Sequence, residues 1–294
     1  MNNSSKGDIF QNFALKDLSS FKIGGRCKLF FSPYNPDDLR DFLKNQSGNI
    51  PTICLGHMSN VLISDEDIEA NIICTRDTFQ DIRFFENNNV KVESGVPLNK
   101  FVHVCSLQGI SCLEQMYCIP GTIGGALFMN AGTPIFEIFD VVVSIECVDM
   151  RGNIISINRD ELKPAYRSGN IPKDLIITSC ILRTSESSVA TVQKTMDEIG
   201  RKRLSTQPIS MATCGSTFKN PDGYKAWQLI DSAGCRGMSV GEAYVSDLHC
   251  NFIINNGNAT FQDVKTLMRL IKEKVLEKHG IMLKEEIQII EFGD

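Results

Sequence analysis

Apolar residues along this chain come in short runs separated by turn residues. Residues 52–55, 71–74, 90–93, 141–148, 154–157 and 176–182 have the length and composition of strands. Arg151-Gly152-Asn153 supplies a tight link between two of them. Helical signals lie in between. Asn35-Pro36-Asp37-Asp38 sets a cap and a first-turn proline ahead of Leu39, Phe42 and Leu43, and Pro97 opens a helix through Gln108 that Gly109 stops. After the polar link at 184–188 the pattern becomes helical, with Val189, Val192, Met196 and Ile199 on one face. A last helix starts at Thr260 with Asp263 as its capping partner, carries Val264, Leu267, Met268, Ile271 and Val275 as its stripe, and ends at Gly280. The pattern predicts mixed α and β structure with a domain boundary near residue 186. No internal repeat, low-complexity tract or heptad array interrupts it.

Composition narrows the function classes. The 294 residues are 42% hydrophobic, enough for a real core and about two or three domains. A net charge of −5 gives no global field for a polyanion, so nucleic acid is not an expected partner, although local basic groups can still hold a diphosphate. The eleven cysteines stand singly among apolar residues without a C-x-x-C pair, which reads as reduced, buried thiols in a reducing cytoplasm. The four histidines are too far apart for a local metal site, so no metal is expected. The polar stretch 1–7 has no apolar signal core, and no apolar run approaches about 18 residues, so no membrane insertion is expected.

Candidate chemistry sits in a few segments. Ile119-Pro120-Gly121-Thr122-Ile123-Gly124-Gly125-Ala126, with Met129-Asn130-Ala131-Gly132 behind it, concentrates four glycines whose N–H groups can approach a phosphate or planar ring. Leu55-Gly56-His57-Met58-Ser59-Asn60 follows a strand, and Lys22-Ile23-Gly24-Gly25-Arg26 is a third such stretch. Each is equally explained, by itself, as a tight turn. Neither the G-x-G-x-x-G nor the G-x-x-x-x-G-K-[ST] pattern is present. Ala165-Tyr166-Arg167-Ser168, Cys214-Gly215-Ser216-Thr217-Phe218-Lys219-Asn220-Pro221 and Leu283-Lys284-Glu285-Glu286-Ile287 supply a guanidinium, a hydroxyl and a carboxyl. That set can polarise a carboxyl-bearing substrate and give it a proton.

In their order and spacing, these segments, together with Ser20-Phe21-Lys22-Ile23-Gly24-Gly25 and Val245-Ser246-Asp247-Leu248-His249-Cys250-Asn251-Phe252, resemble the UDP-N-acetylenolpyruvoylglucosamine reductase family of peptidoglycan precursor synthesis. The resemblance implies an FAD-binding fold of the PCMH or vanillyl-alcohol-oxidase type, with two α+β subdomains and a C-terminal α/β substrate domain. It divides the chain into 1–75 and 76–186 for the flavin and 187–283 for the substrate, with the strand 284–294 returning to the first part. The short connection from Arg167 to Ser216 is similar to the compact type that lacks an inserted tyrosine loop. No protein partner is evident.

The resemblance further implies that NADPH reduces FAD and that UDP-N-acetylglucosamine enolpyruvate then takes hydride from flavin N5 at C3 and a proton at C2. By motif match, Arg167 stabilises the enolate-like charge, Ser216 supplies the proton, and Glu286 polarises the substrate, which is physically sensible if burial keeps it protonated. Gly56, His57, Met58, Ser59, Asn60, Pro120, Gly121, Thr122, Gly124, Gly125, Ala131 and Gly132 fall on the cofactor segments, and Tyr166, Lys219 and Asn220 on the substrate side. The family usually has glycine where Met58, Trp227 and Glu242 stand and glutamate where Lys284 stands, and residues 133–136 also differ. Two other functions use the same segments. An FAD oxidase of this fold would need neither Ser216 nor Lys219, and a flavin- or UDP-sugar-binding sensor would not turn over NADPH.

Overall fold

The computed structural model describes residues 6–46 and 50–291. Residues 1–5 and 47–49 of the expected first flavin subdomain, and 292–294 of the expected returning strand, lie outside the described residues. The chain forms two compact units from interleaved stretches: Met1–Gln11, Leu29–His57 and Ala70–Arg201 build one, and Asn12–Lys28, Met58–Glu69 and Lys202–Asp294 the other.

An antiparallel sheet of five strands organises the first unit, in the order Ile154–Asn158, Val142–Asp149, Leu175–Arg183, Asn89–Glu93 and Ile82–Phe85. Alternation along its central strands feeds two cores. Cys147 and Ile177 point into a cluster with Val90, Val92, Phe101, Ile123 and Leu127. Their neighbours Val148 and Ile176 join Phe31, Leu39, Leu43 and Ile73 instead. The strand Thr52–Leu55 runs parallel to Ile68–Cys74, with Thr52 opposite Asn71 and Leu55 opposite Cys74. Helix Pro36–Asn45 starts as its sequence dictates: the Asn35 side chain accepts from the Asp38 amide, and Leu39 and Leu43 are buried. Pro97 stands just ahead of helix Leu98–Leu107 with extended backbone rather than inside it.

The second unit centres on helix Phe261–His279. Its stripe of Val264, Leu267, Met268, Ile271 and Val275 is buried with Phe218, Ala243, Val245, Ile253, Leu283 and Ile287. The capping box forms, Thr260 accepting from the Asp263 amide and Asp263 from the Thr260 amide, and Gly280 ends the helix at φ 69°. A small antiparallel sheet runs Ser239–Val240, Ala243–Val245, Ile253–Asn255. Near the C-terminus, Gln288–Ile290 pairs in parallel with Val61–Ile63.

Candidate active site

Two glycine segments predicted to serve a cofactor meet in the first unit. Thr122 pairs with Pro97 in an isolated bridge and caps helix Ile123–Met129, its hydroxyl accepting from the Gly125 amide at 3.3 Å. The Ile123 and Gly124 amides donate to the carbonyls of Val96 and Ser94, and Gly121 takes φ 130° with its carbonyl accepting from the Leu98 amide. Gly56 packs on this turn so closely that a Cβ there would lie 2.4 Å from Thr122 Oγ1. Gly124 is equally confined, against Ser94. Gly125 differs: it is exposed, and among the described residues, its chain neighbours and own helix backbone aside, only Thr122 Oγ1, at 3.6 Å, lies within 4 Å of its Cβ position. Two glycines thus let loops touch, while the third stands at the surface without a side chain, its amide already donated to Thr122. Pro120 lies at the entrance of the same turn.

His57 is half-buried, and burial lowers its pKa from 6.5, with Arg76 adding to the effect and Asp77 opposing it. Met58, Ser59 and Asn60 belong to the second unit. Met58 keeps the left-handed backbone that glycine adopts freely, φ 49°, yet its side chain is buried and its carbonyl accepts from the Ser20 amide.

Arg167 occupies a tight turn in the first unit, at φ 56°, where Ala165 and Ser168 exchange backbone hydrogen bonds. Its guanidinium donates through Nη2 to the Gly132 carbonyl at 3.2 Å and lies 3.7 Å from Glu137 Oε1 through Nη1. The Tyr166 ring stands 4.8 Å from the guanidinium carbon. Asn130 ties these parts together. It ends helix Ile123–Met129 in the left-handed conformation and donates to Glu137 Oε2 at 2.7 Å and to the Ala165 carbonyl at 3.0 Å. Ala131 follows, its carbonyl accepting from Ile138. Gly132 has no room for a side chain, since a Cβ would stand 2.2 Å from the Phe136 carbonyl. Glu137 carries no motif of its own, so only contact with Arg167 reveals it.

Ser216 and Glu286 lie in the second unit on paired segments. Ser216 bridges to Phe252 and Phe218 to Glu285, so 216–219 is an extended stretch held on both sides. The Thr217 amide donates to Asn251, the Glu286 amide donates to Thr217, and the Lys219 amide donates to Lys284, at 2.7–2.8 Å. Asn60 donates its side chain to the Glu286 carbonyl at 3.3 Å, joining a predicted cofactor residue to a predicted catalytic one. Among the described residues the half-buried Ser216 hydroxyl has no hydrogen-bond partner, and the Lys219 ammonium has no ion-pair partner. Asn220 is partly committed to the fold, its side-chain oxygen accepting from the amide of Ala226 at the start of helix Ala226–Ser232. Burial pushes the Glu285 carboxyl up, but its 2.8 Å pairing with Lys272 and its own amide outweigh this and leave it below 4.5.

Residues 27–158 match the profile of an FAD binding domain, and residues 207–290 match that of the UDP-N-acetylenolpyruvoylglucosamine reductase C-terminal domain. The chain is 40% identical over 285 residues to the UDP-N-acetylenolpyruvoylglucosamine reductase of Rickettsia bellii (strain RML369-C), covering 97% of this chain and 94% of that protein. For the Rickettsia rickettsii (strain Sheila Smith) reductase the identity is 41%, with 97% and 96% covered. The crystal structure of the reductase from Thermus caldophilus superposes with a TM-score of 0.82 at 30% identity, over 97% of this chain and 99% of that one. Berberine bridge enzyme from Eschscholzia californica is similar in fold alone, with a TM-score of 0.50 at 16% identity over 64% of this chain and 42% of that one. The flavin part has the α+β fold of PCMH-type flavoproteins. With about two residues in five shared along nearly its whole length, the chain belongs to the UDP-N-acetylenolpyruvoylglucosamine reductase family of FAD-dependent oxidoreductases.

Proposed function

We propose that this enzyme uses NADPH to reduce the enolpyruvyl group of UDP-N-acetylglucosamine enolpyruvate, forming UDP-N-acetylmuramate in the cytoplasm. Residues 1–75 and 76–186 serve the flavin and 187–283 the sugar nucleotide in this reading. The free Ser216 hydroxyl, on a segment paired with that of Glu286, is the observation that carries it. The residues present fit FAD: Gly56 and Gly124 let the two glycine segments pack together without side chains, and exposed Gly125 leaves the start of helix Ile123–Met129 uncrowded for a ligand. Segments 56–60, 120–125 and 131–132 would hold it. Bound FAD supplies two-electron chemistry, taking hydride from NADPH and giving it up to the substrate.

Reduction adds a hydride to C3 and a proton to C2 of the enolpyruvyl double bond. As C3 gains the hydride, electron density moves towards the carboxylate, and a fixed cation is worth most where charge develops. Arg167 has that character: 85% of its side chain is shielded, given a relative exposure of 15%, and Gly132 and Glu137 orient it. Ser216 delivers the proton to C2. A serine hydroxyl is a weak acid, so it protonates only a strongly basic carbon, which the hydride addition creates. Glu286 polarises the substrate carboxyl, while Tyr166, Lys219 and Asn220 bind and orient the remainder. The support for reduced conditions is that, among the described residues, none of the eleven cysteines forms a disulfide; no described helix is long and apolar enough to cross a membrane.

Anaerobic stopped-flow spectroscopy separates the two half-reactions. In Ser216→Ala, NADPH should bleach the flavin at nearly the parental rate, while reoxidation by the enolpyruvyl substrate slows by about 10²-fold or more. Equal slowing of both steps would overturn the assignment of Ser216.

A further inference from the structure

The stretch 245–252 is part of the sequence pattern, yet none of its residues has a place in the reaction described above. Asn251 within it is 4% exposed and uses every polar group it has. Its side-chain oxygen accepts from the Phe218 amide at 3.0 Å, and its side-chain nitrogen donates to the Phe218 carbonyl at 2.8 Å. Its own carbonyl accepts from the Thr217 amide at 2.7 Å, and its amide donates to His249 Nδ1 at 3.3 Å. The carboxamide therefore offers Phe218 the donor and acceptor that a neighbouring strand would offer, and only one orientation of the amide satisfies both bonds.

Three hydrogen bonds from one residue thus hold 217–218 on this side, while Lys284 and Glu286 hold 217–219 on the other. Ser216 comes immediately before. Its hydroxyl has no protein partner among the described residues, so the backbone alone sets where its oxygen lies. Side-chain replacements show why the amide is needed. Aspartate has the same shape but turns a lone pair towards the Phe218 carbonyl, and alanine leaves both Phe218 backbone groups unpaired beside a side chain that is 1% exposed.

We propose that Asn251 is a positioning residue for proton transfer, its carboxamide clamping Phe218 so that the Ser216 hydroxyl is held at the point from which the proton leaves. This rests on Ser216 being the proton donor. In the flavin-loaded enzyme, Asn251→Ala and Asn251→Asp should leave bleaching by NADPH within about twofold of the parent and slow reoxidation by substrate roughly 10²-fold, the order expected for a donor displaced by about 1 Å. Added to Ser216→Ala, either change should cost little more, because the group it positions is already gone. Amide deuterium exchange at Thr217 and Phe218 should quicken in Asn251→Ala. Parental reoxidation in both Asn251 variants, equal slowing of both half-reactions, or full additivity with Ser216→Ala overturns the proposal. If Asn251→Ala does not fold, the isosteric Asn251→Asp carries the same test. Slow reoxidation in Ser216→Ala with parental Asn251 variants removes only the Asn251 assignment, whereas parental reoxidation in Ser216→Ala removes the proton-donor reading and this one with it.

Discussion

Met58 shows how two single-residue effects compete. Its φ of 49° costs an L-residue about 1–2 kcal/mol, which glycine would recover. The same residue is 3% exposed, and truncating a buried methionine costs about 2–5 kcal/mol, to which glycine adds the entropy of a freer unfolded chain. Burial wins. Met58→Gly should therefore lower stability by about 1–3 kcal/mol although glycine suits the backbone there, with a lower urea midpoint as the measurement. An unchanged or higher midpoint would mean that the thioether packs poorly. Trp227 and Glu242 take other roles. Trp227 is partly exposed with its ring 6.1 Å from that of His249, and Glu242 accepts from the Asn256 side chain at 2.9 Å.

At the scale of elements, local chemistry decides where helices begin. Thr260 and Asp263 satisfy each other's amides at the start of Phe261–His279, so Thr260→Ala should cost about 1 kcal/mol and Thr260→Ser should recover most of it in thermal melts. Such start signals were readable, as were the runs that became Val142–Asp149, Ile154–Asn158 and Leu175–Arg183. Helix Ile123–Met129 was not, because Gly124 and Gly125 disfavour helix, and it is tertiary contact with Ser94 and Val96 that fixes it. Exposed Asp8–Ala14 and the short Ile253–Asn255 also escape period counting, the first for lack of a buried face and the second for being three residues long. The site divides in the same way. Motifs mark Arg167, Ser216 and Glu286, and Asn130 and Asn251 stand inside motif segments without a role of their own; Glu137 lies outside every motif, and what each of these three does depends on contacts with Arg167, Ala165 or Phe218 some thirty residues away, about which spacing says nothing.

The whole molecule is assembled from stretches that alternate between two units, so its stability depends on buried groups scattered along the chain. Two classes of titratable group set its pH range. Burial lowers His57 in one unit and His249 in the other below 6.5; Arg76 adds to the effect at His57, and Arg236 and Arg203 add to it at His249. The unfolded chain then binds more protons than the folded one below about pH 6.5, so stability falls as pH drops through that region. Thiols act in the opposite sense. Burial raises Cys54, Cys105 and Cys147 to about 12 and Cys74 to about 11, from 9.0. Here the folded chain keeps protons that the unfolded chain loses, and stability falls as pH rises above about 9. Urea midpoints should therefore be flat from about pH 7 to 8.5 and decline on both sides, and His249→Gln should shallow the acidic limb above the carboxylate range. Thiol reagents give the independent measure, since neutral buried thiols react only through opening, and labelling of Cys105 and Cys147 should follow the same alkaline decline. An alkaline limb with no accompanying rise in labelling would mean that the thiols are not the groups whose protons hold the fold together.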